Sequence, residues 1–198
     1  MLNYENKYCG KLIAGIDEAG RGPLAGPVVC ACVIMPLNED KIIDGINDSK
    51  KLSEKKRAHL EKLIKQTAIA YSVVEIDEKT IDEINILNAT KLGMKLALQN
   101  LAVKPEIVLT DAVKIETEIP QENIIKGDAL SYNIASASIL AKVHRDRLMV
   151  QMAEKYPDYN FEKHKGYGTK THIDNLKKFG ACPIHRQTFI KNFIKKED

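Results

Sequence analysis

Three apolar runs in this chain lead into acids. Asp17 and Glu18 follow the run that reaches Ile16, Asp111 closes "EIVLTD", and Asp128 stands just beyond Glu122–Lys126. A strand tip that faces a core should not carry a carboxylate unless something offsets its desolvation. Ordinary loop acids and helix caps account for such a pattern one at a time. Together the four also suit a divalent-metal site, because Mg²⁺ takes oxygen ligands and binds through carboxylates and substrate phosphate. Two ions about 3.5–4 Å apart can clamp both oxygens of a phosphodiester displacement. Four carboxylates around two divalent ions would be near neutral when filled and crowded with like charge when empty. The sequence therefore predicts raised carboxyl pKa values and coupled titration in the absence of metal.

Adjacent Asp17 and Glu18 pose a geometric difficulty, since neighbours on a strand point to opposite faces. Either the strand breaks at Glu18, helped by Ala19-Gly20, or Glu18 contributes through its backbone carbonyl or a water. The next residues, Gly20-Arg21-Gly22-Pro23, do not match the dinucleotide fingerprint, because Gly20, Gly22 and Gly26 are spaced wrongly and a strand rather than a helix is expected to follow. No Gly-Lys-Ser/Thr is present, so a Walker loop is excluded. A plain tight turn is one reading. The other is a turn whose missing Cβ atoms let backbone approach a ligand, with Arg21 presented to phosphate.

The elements that must position these residues alternate between strand and helix. Strands are expected at Lys11–Ile16, Pro27–Met35, Thr67–Ile76, Glu106–Asp111 and Glu122–Lys126. Helices are expected at Ser53–Gln66, with Ser53 as N-cap, at Ile81–Leu101, and from Ser131 to about Tyr156. Beyond Pro157 the chain reads as loop to Gly168, with one or two short helices after it. Short connections favour a meander first, then strands added beside it with helices on the faces. The fold class is α/β, a mixed five-stranded sheet flanked by helices, as one domain over residues 1–198 with 170–198 as a small helical extension.

The 198 residues, 44% hydrophobic and 29% charged, suit one globular domain with a net charge of +3. No apolar run is long enough to span a membrane, and "MLNYENKYCGK" lacks a signal-peptide core, so a cytoplasmic protein is expected. Cys30 and Cys32 should share one strand face as small hydrophobes, and no disulfide framework is expected. Basic clusters at Lys50–Arg57, Lys142–Arg147, Lys163–Lys165 and in the tail (Lys191, Lys195, Lys196) are solvated faces or phosphate contacts.

"GIDEAGRGPLAGPVV" closely resembles the signature of the ribonuclease HII family. "NDSKKLS", "INILNATKLGM", "LTDA", "IIKGDAL", "IASASILAKVHRDR", "HKGYGT" and "HRQTF" follow in the family's order, over roughly residues 10 to 190. The sister family, ribonuclease HIII, is a weaker match, because its turn differs and its extra N-terminal domain has no room before Asp17. The resemblance implies an RNase H-like fold and two-metal hydrolysis of RNA in RNA–DNA hybrids. It also implies cutting on the 5′ side of ribonucleotides embedded in duplex DNA, leaving 5′-phosphate and 3′-hydroxyl ends. It implies that Asp17, Glu18, Asp111 and Asp128 hold two Mg²⁺ or Mn²⁺ ions. Gly20, Arg21 and Gly22 would sense the ribose 2′-hydroxyl, largely with backbone groups, and Tyr167 would pack on the next, deoxy sugar. Ser49 and Lys50 match a phosphate-contacting segment, and Lys142 and Arg145 lie in a shared helix motif.

Two rival classes are a different nuclease or transposase on a similar sheet, and a nucleic-acid-binding module without catalysis. The Gly-Arg-Gly turn and Tyr167 speak against the first, and the full set of acids against the second. Gln187, Ile190, Phe193 and Ile194 loosely resemble a sliding-clamp-binding peptide, but Gln187 already belongs to "HRQTF", so clamp binding is not expected. A monomer is expected.

Overall fold

The structure is a computed structural model that describes residues 1–194. Its strands are β1 (Ile13–Ala19), β2 (Val28–Ile34), β3 (Ala70–Ile76), β4 (Ile107–Asp111) and β5 (Gln121–Ile124). They form one sheet in the order β3-β2-β1-β4-β5. The first three run antiparallel as a meander, and β4 and β5 add in parallel beside β1. This is the expected mixed α/β sheet. Its central strand β1 and neighbour β4 lead toward the same edge, which brings Asp17 and Asp111 together although 94 residues separate them in the chain.

The helices are α1 (Glu54–Thr67), α2 (Glu78–Gln99), α3 (Gly127–Leu130), α4 (Tyr132–Lys155), α5 (Phe161–His164), α6 (Lys170–Phe179) and α7 (Gln187–Ile190). One sheet face carries Val29, Ala31 and Val33 against α1 and α4, through Leu60, Ile64, Ala137 and Leu140. The other carries Ala14, Ile16, Cys30, Cys32 and Ile34 against Met94, Ala97 and Leu98 of α2. Cys30 and Cys32 share that face as free, buried thiols. No helix among the described residues is long and apolar enough to cross a membrane.

Several boundaries differ from the sequence reading. β1 does not stop at Ile16 but continues through Asp17, Glu18 and Ala19, paired with Ala31, Cys30 and Val29 of β2. Helix α2 begins at Glu78, three residues early, because the Asp77 carboxylate caps it by accepting from the Thr80 N–H. It is kinked at Asn85, whose φ of 66° is left-handed and whose side chain restarts the helix by accepting from the Asn88 N–H. Asp128 is not at a strand end but in α3, entered through left-handed Lys126. The 157–168 stretch contains a 3-10 turn and α5 rather than plain loop. Helix α4 starts at Tyr132, capped by Ser131, and passes so close to β1 that Gly15 lies against the Asn133 backbone.

Candidate active site

Asp17, Asp111 and Asp128 converge, and each offers an oxygen within 4.8 Å of the others. Asp17 is buried on the α4 face of the sheet; its Oδ1 accepts from the Glu18 N–H at 2.8 Å. Asp111 Oδ1 accepts from the Gly127 N–H at 2.8 Å, which ties the end of β4 to α3 and so to Asp128. Asp128 Oδ2 accepts from Lys50 Nζ at 3.2 Å. Burial and then the Glu18 charge push the Asp17 carboxyl well above the ordinary range. Burial raises Asp111 as well, with the Asp128 charge adding to it against the opposing Gly127 N–H. The expectation of raised carboxyl pKa values thus holds for these two, and for Glu18, where burial again leads and the Arg21 charge opposes.

Glu18 is not among the three converging carboxylates. Because β1 stays regular, its side chain leaves on the face opposite Asp17, and the expected break in the strand does not occur. It points instead toward Arg21, whose Nη1 lies 3.6 Å from Oε1. Its Oε2 is buried and has no partner. Three crowded aspartates, with the unpartnered Glu18 oxygen at the end of the same strand as Asp17, need a cation to offset their charge, and the all-oxygen donor set suits Mg²⁺ or Mn²⁺. The residues present therefore fit a divalent metal.

The Gly20-Arg21-Gly22 turn begins where β1 ends. Gly20 has φ +99°, and a Cβ there would stand 2.0 Å from Arg145 Nε. Gly22 borders the Tyr167 ring, whose nearest atom is 3.9 Å from where a Cβ would be. Tyr167 is 44% exposed, with the Arg145 guanidinium 5.9 Å from its ring centre. Arg145 is only 1% exposed and does not face outward. Its three nitrogens donate to the carbonyls of Ala25, Pro27 and Lys165, joining the turn to the loop that carries Tyr167.

Ser49 is buried and hydrogen-bonds Ser138 of α4 through the hydroxyls at 2.9 Å. Arg57 donates to the Ser49 and Leu52 carbonyls and pairs with Asp146. Lys50 is thereby held over the acids. Lys142 is paired with Asp146 at 2.6 Å rather than with Asp17, Asp111 or Asp128. Of the tail residues, Ile190 is buried against Leu24 and Leu176, with Phe193 and Ile194 packed on the same cluster. Lys195 and Lys196 lie outside the described residues.

Sequence reasoning missed Arg186. This fully buried guanidinium donates to the carbonyls of Gly20, Arg21 and Gly26 at 2.6, 2.9 and 2.9 Å. It also missed a histidine chain beneath the site. His172 Nδ1 lies 2.9 Å from the Tyr167 carbonyl, and its Nε2 3.0 Å from His185 Nε2. Both residues fall within or beside quoted motifs, but their partners are backbone atoms and each other, which leave no residue-type pattern to read.

A family model described as ribonuclease HII matches residues 14–192. The ribonuclease HII of Acetivibrio thermocellus is 57% identical over 192 residues, covering 96% of this chain and 73% of that protein. Among solved structures, the ribonuclease H2 of Pyrococcus horikoshii has a TM-score of 0.74 at 28% identity, over 89% of this chain and 92% of that one. The ribonuclease HII of Archaeoglobus fulgidus, solved in complex with PCNA, has a TM-score of 0.76 at 28% identity, covering 93% and 98%.

Proposed function

Since the chain belongs to the ribonuclease HII family, and is a ribonuclease H acting on the RNA strand of RNA–DNA hybrids, we propose that it also cuts duplex DNA 5′ of an embedded ribonucleotide. The observation that carries this is the adjacency of three converging aspartates to a glycine turn that borders an exposed tyrosine ring.

Asp17, Asp111 and Asp128 would hold two Mg²⁺ or Mn²⁺ ions, with Glu18 joining through its backbone carbonyl or a water. When bound, such ions supply Lewis-acid activation of water and charge stabilisation at the leaving 3′-oxygen, giving 5′-phosphate and 3′-hydroxyl ends. The remaining tasks fall to the chain itself. Lys50, free to leave Asp128, takes a backbone phosphate, and the Ser49 backbone fixes its loop. Gly20, Arg21 and Gly22 present backbone donors to the 2′-hydroxyl, the group that separates RNA from DNA. The Tyr167 ring lies where a sugar lacking that hydroxyl can pack. Arg145 serves from beneath, by positioning the turn, and Lys142 serves through the duplex backbone. Clamp binding by the tail is left out of this reading, because Ile190 is spent inside the fold.

The test uses two duplexes that differ by one ribonucleotide, in Mn²⁺, with the four acids substituted one at a time. Cleavage confined to the ribonucleotide duplex is expected. Asp128→Asn should lose turnover by roughly a hundredfold or more, with duplex affinity changed only a few fold. Equal cutting of both duplexes would refute the substrate, and undiminished turnover in Asp128→Asn would refute the site.

A further inference from the structure

We propose that Arg186, near the far end of the chain, is a positioning residue for ribose selection: its guanidinium fork sets the direction of the Gly20-Arg21-Gly22 backbone. The proposal rests on the reading that this turn senses the 2′-hydroxyl.

A trans peptide points its carbonyl and the following N–H in opposite directions. No peptide among the described residues is cis. Arg186 Nη2 and Nη1 draw the Gly20 and Arg21 carbonyls inward, at 2.6 and 2.9 Å. The N–H groups of Arg21 and Gly22 must then point outward. Among the described residues, neither finds a protein acceptor. The result is a pair of unspent donors beside the Tyr167 ring, held there by one planar group. Nε fixes the other end of the turn through the Gly26 carbonyl.

The fork is costly, which argues that it is more than filler. Arg186 is fully buried beneath the Phe189 ring, its Cζ 5.1 Å from the ring centre, and among the described residues it forms no ion pair. The cation Arg145 opposes its charge, and the carboxylates of Asp82 and Glu78 favour it from beyond ion-pairing distance. A buried guanidinium solvated only by carbonyls must make every bond well to survive its desolvation. Lysine keeps the charge but lacks the planar fork, and cannot hold three carbonyls in that geometry.

His172 supports the other reader in the same way. The Tyr167 carbonyl can only accept, so His172 carries its proton on Nδ1 and donates to it. His172 Nε2 then accepts from His185 Nε2–H, which leaves His185 Nδ1 to accept from the Cys182 N–H. Segment 182–186 therefore anchors both sides of the sugar site.

The experiment measures Arg186→Lys and Arg186→Ala on three substrates: the single-ribonucleotide duplex, its all-DNA twin, and an RNA–DNA hybrid. Mn²⁺ binding by calorimetry and thermal unfolding are recorded for each variant. Arg186→Lys is expected to fold, to bind Mn²⁺ like the parent, and to lose kcat on the single-ribonucleotide duplex by at least about tenfold, toward the hundredfold that a misplacement near 1 Å can cost. KM should change less than kcat, and added guanidinium should restore part of the rate to Arg186→Ala. Kinetics within twofold of the parent in a folded Arg186→Lys would overturn the proposal. So would unfolding of both variants, which assigns Arg186 to stability alone. A parent enzyme that cuts both duplexes equally would instead overturn the underlying reading of the turn.

Discussion

Asp17 stands at a point of high electrostatic cost. It is buried, it adjoins Glu18, and it faces Asp111 and Asp128. Its raised pKa means that the folded state favours the protonated form. The stability it contributes is present below the ordinary carboxylate range and is lost as pH rises through the folded value. In EDTA at pH 8, Asp17→Asn should therefore unfold a few degrees above the parent, since 1 kcal/mol is worth roughly 2–4 °C at this size. The gain should shrink at pH 4.5. In Mn²⁺ the order should reverse, because saturation at a hundred times Kd stabilises only the parent by about 2.7 kcal/mol. Thermal scans in the two buffers decide the matter, and a parent that is the more stable in EDTA at pH 8 would contradict it. The acids were legible in the sequence because a carboxylate after an apolar run breaks a rule that any reader can apply. Arg186 was not, because its three partners are carbonyls some 160 residues away, and any residue type supplies a carbonyl.

At the scale of elements, the closest approach is between β1 and α4. A Cβ on Gly15 would stand 2.2 Å from the Asn133 carbonyl carbon, a backbone atom that cannot swing away. Asn133 in turn accepts from the Met35 N–H and donates to Glu5, so the start of α4 is fixed from two other directions. Gly15→Ala should cost about 3 kcal/mol or more, read as a lowered urea midpoint at unchanged m-value. A midpoint equal to the parent's would show that α4 can retreat. The layered order of strands and helices was readable from periodicity and short connections, including the opening meander and the mixed character of the sheet. Strand ends were less so. Asp17 and Glu18 look like a stop, yet β2 supplies Ala31, Cys30 and Val29 as partners and carries β1 onward. That regularity keeps Glu18 off the face that Asp17 occupies, a point that composition could pose but only pairing could answer.

At the scale of the whole molecule, segments from three distant parts of the chain close on one another. Leu24, Gly26 and Arg186 exchange backbone hydrogen bonds with Gly166, Ile184 and Leu24, and Ala25 bridges to His185. Burial lowers the pKa of His164, His172 and His185, the last to about 4, so the closed form prefers neutral rings. Stability from this cluster is complete above pH 6.5 and declines as pH falls from there toward 4. The ring signals of His185 in proton NMR should stay fixed from pH 8 to about 5, and a midpoint near 6.5 would contradict the closure. The order of synthesis gives this closure a consequence. A nascent chain acquires the last of its three converging aspartates at residue 128 and the exposed Tyr167 later, but the fork proposed to aim the turn arrives only at residue 186. Until then the three aspartates are all present, but the proposed sugar check has nothing to aim it. A chain that stops before residue 182 would therefore keep all three aspartates while lacking both the fork and Cys182, Ile184 and Ile190, which close the core around it.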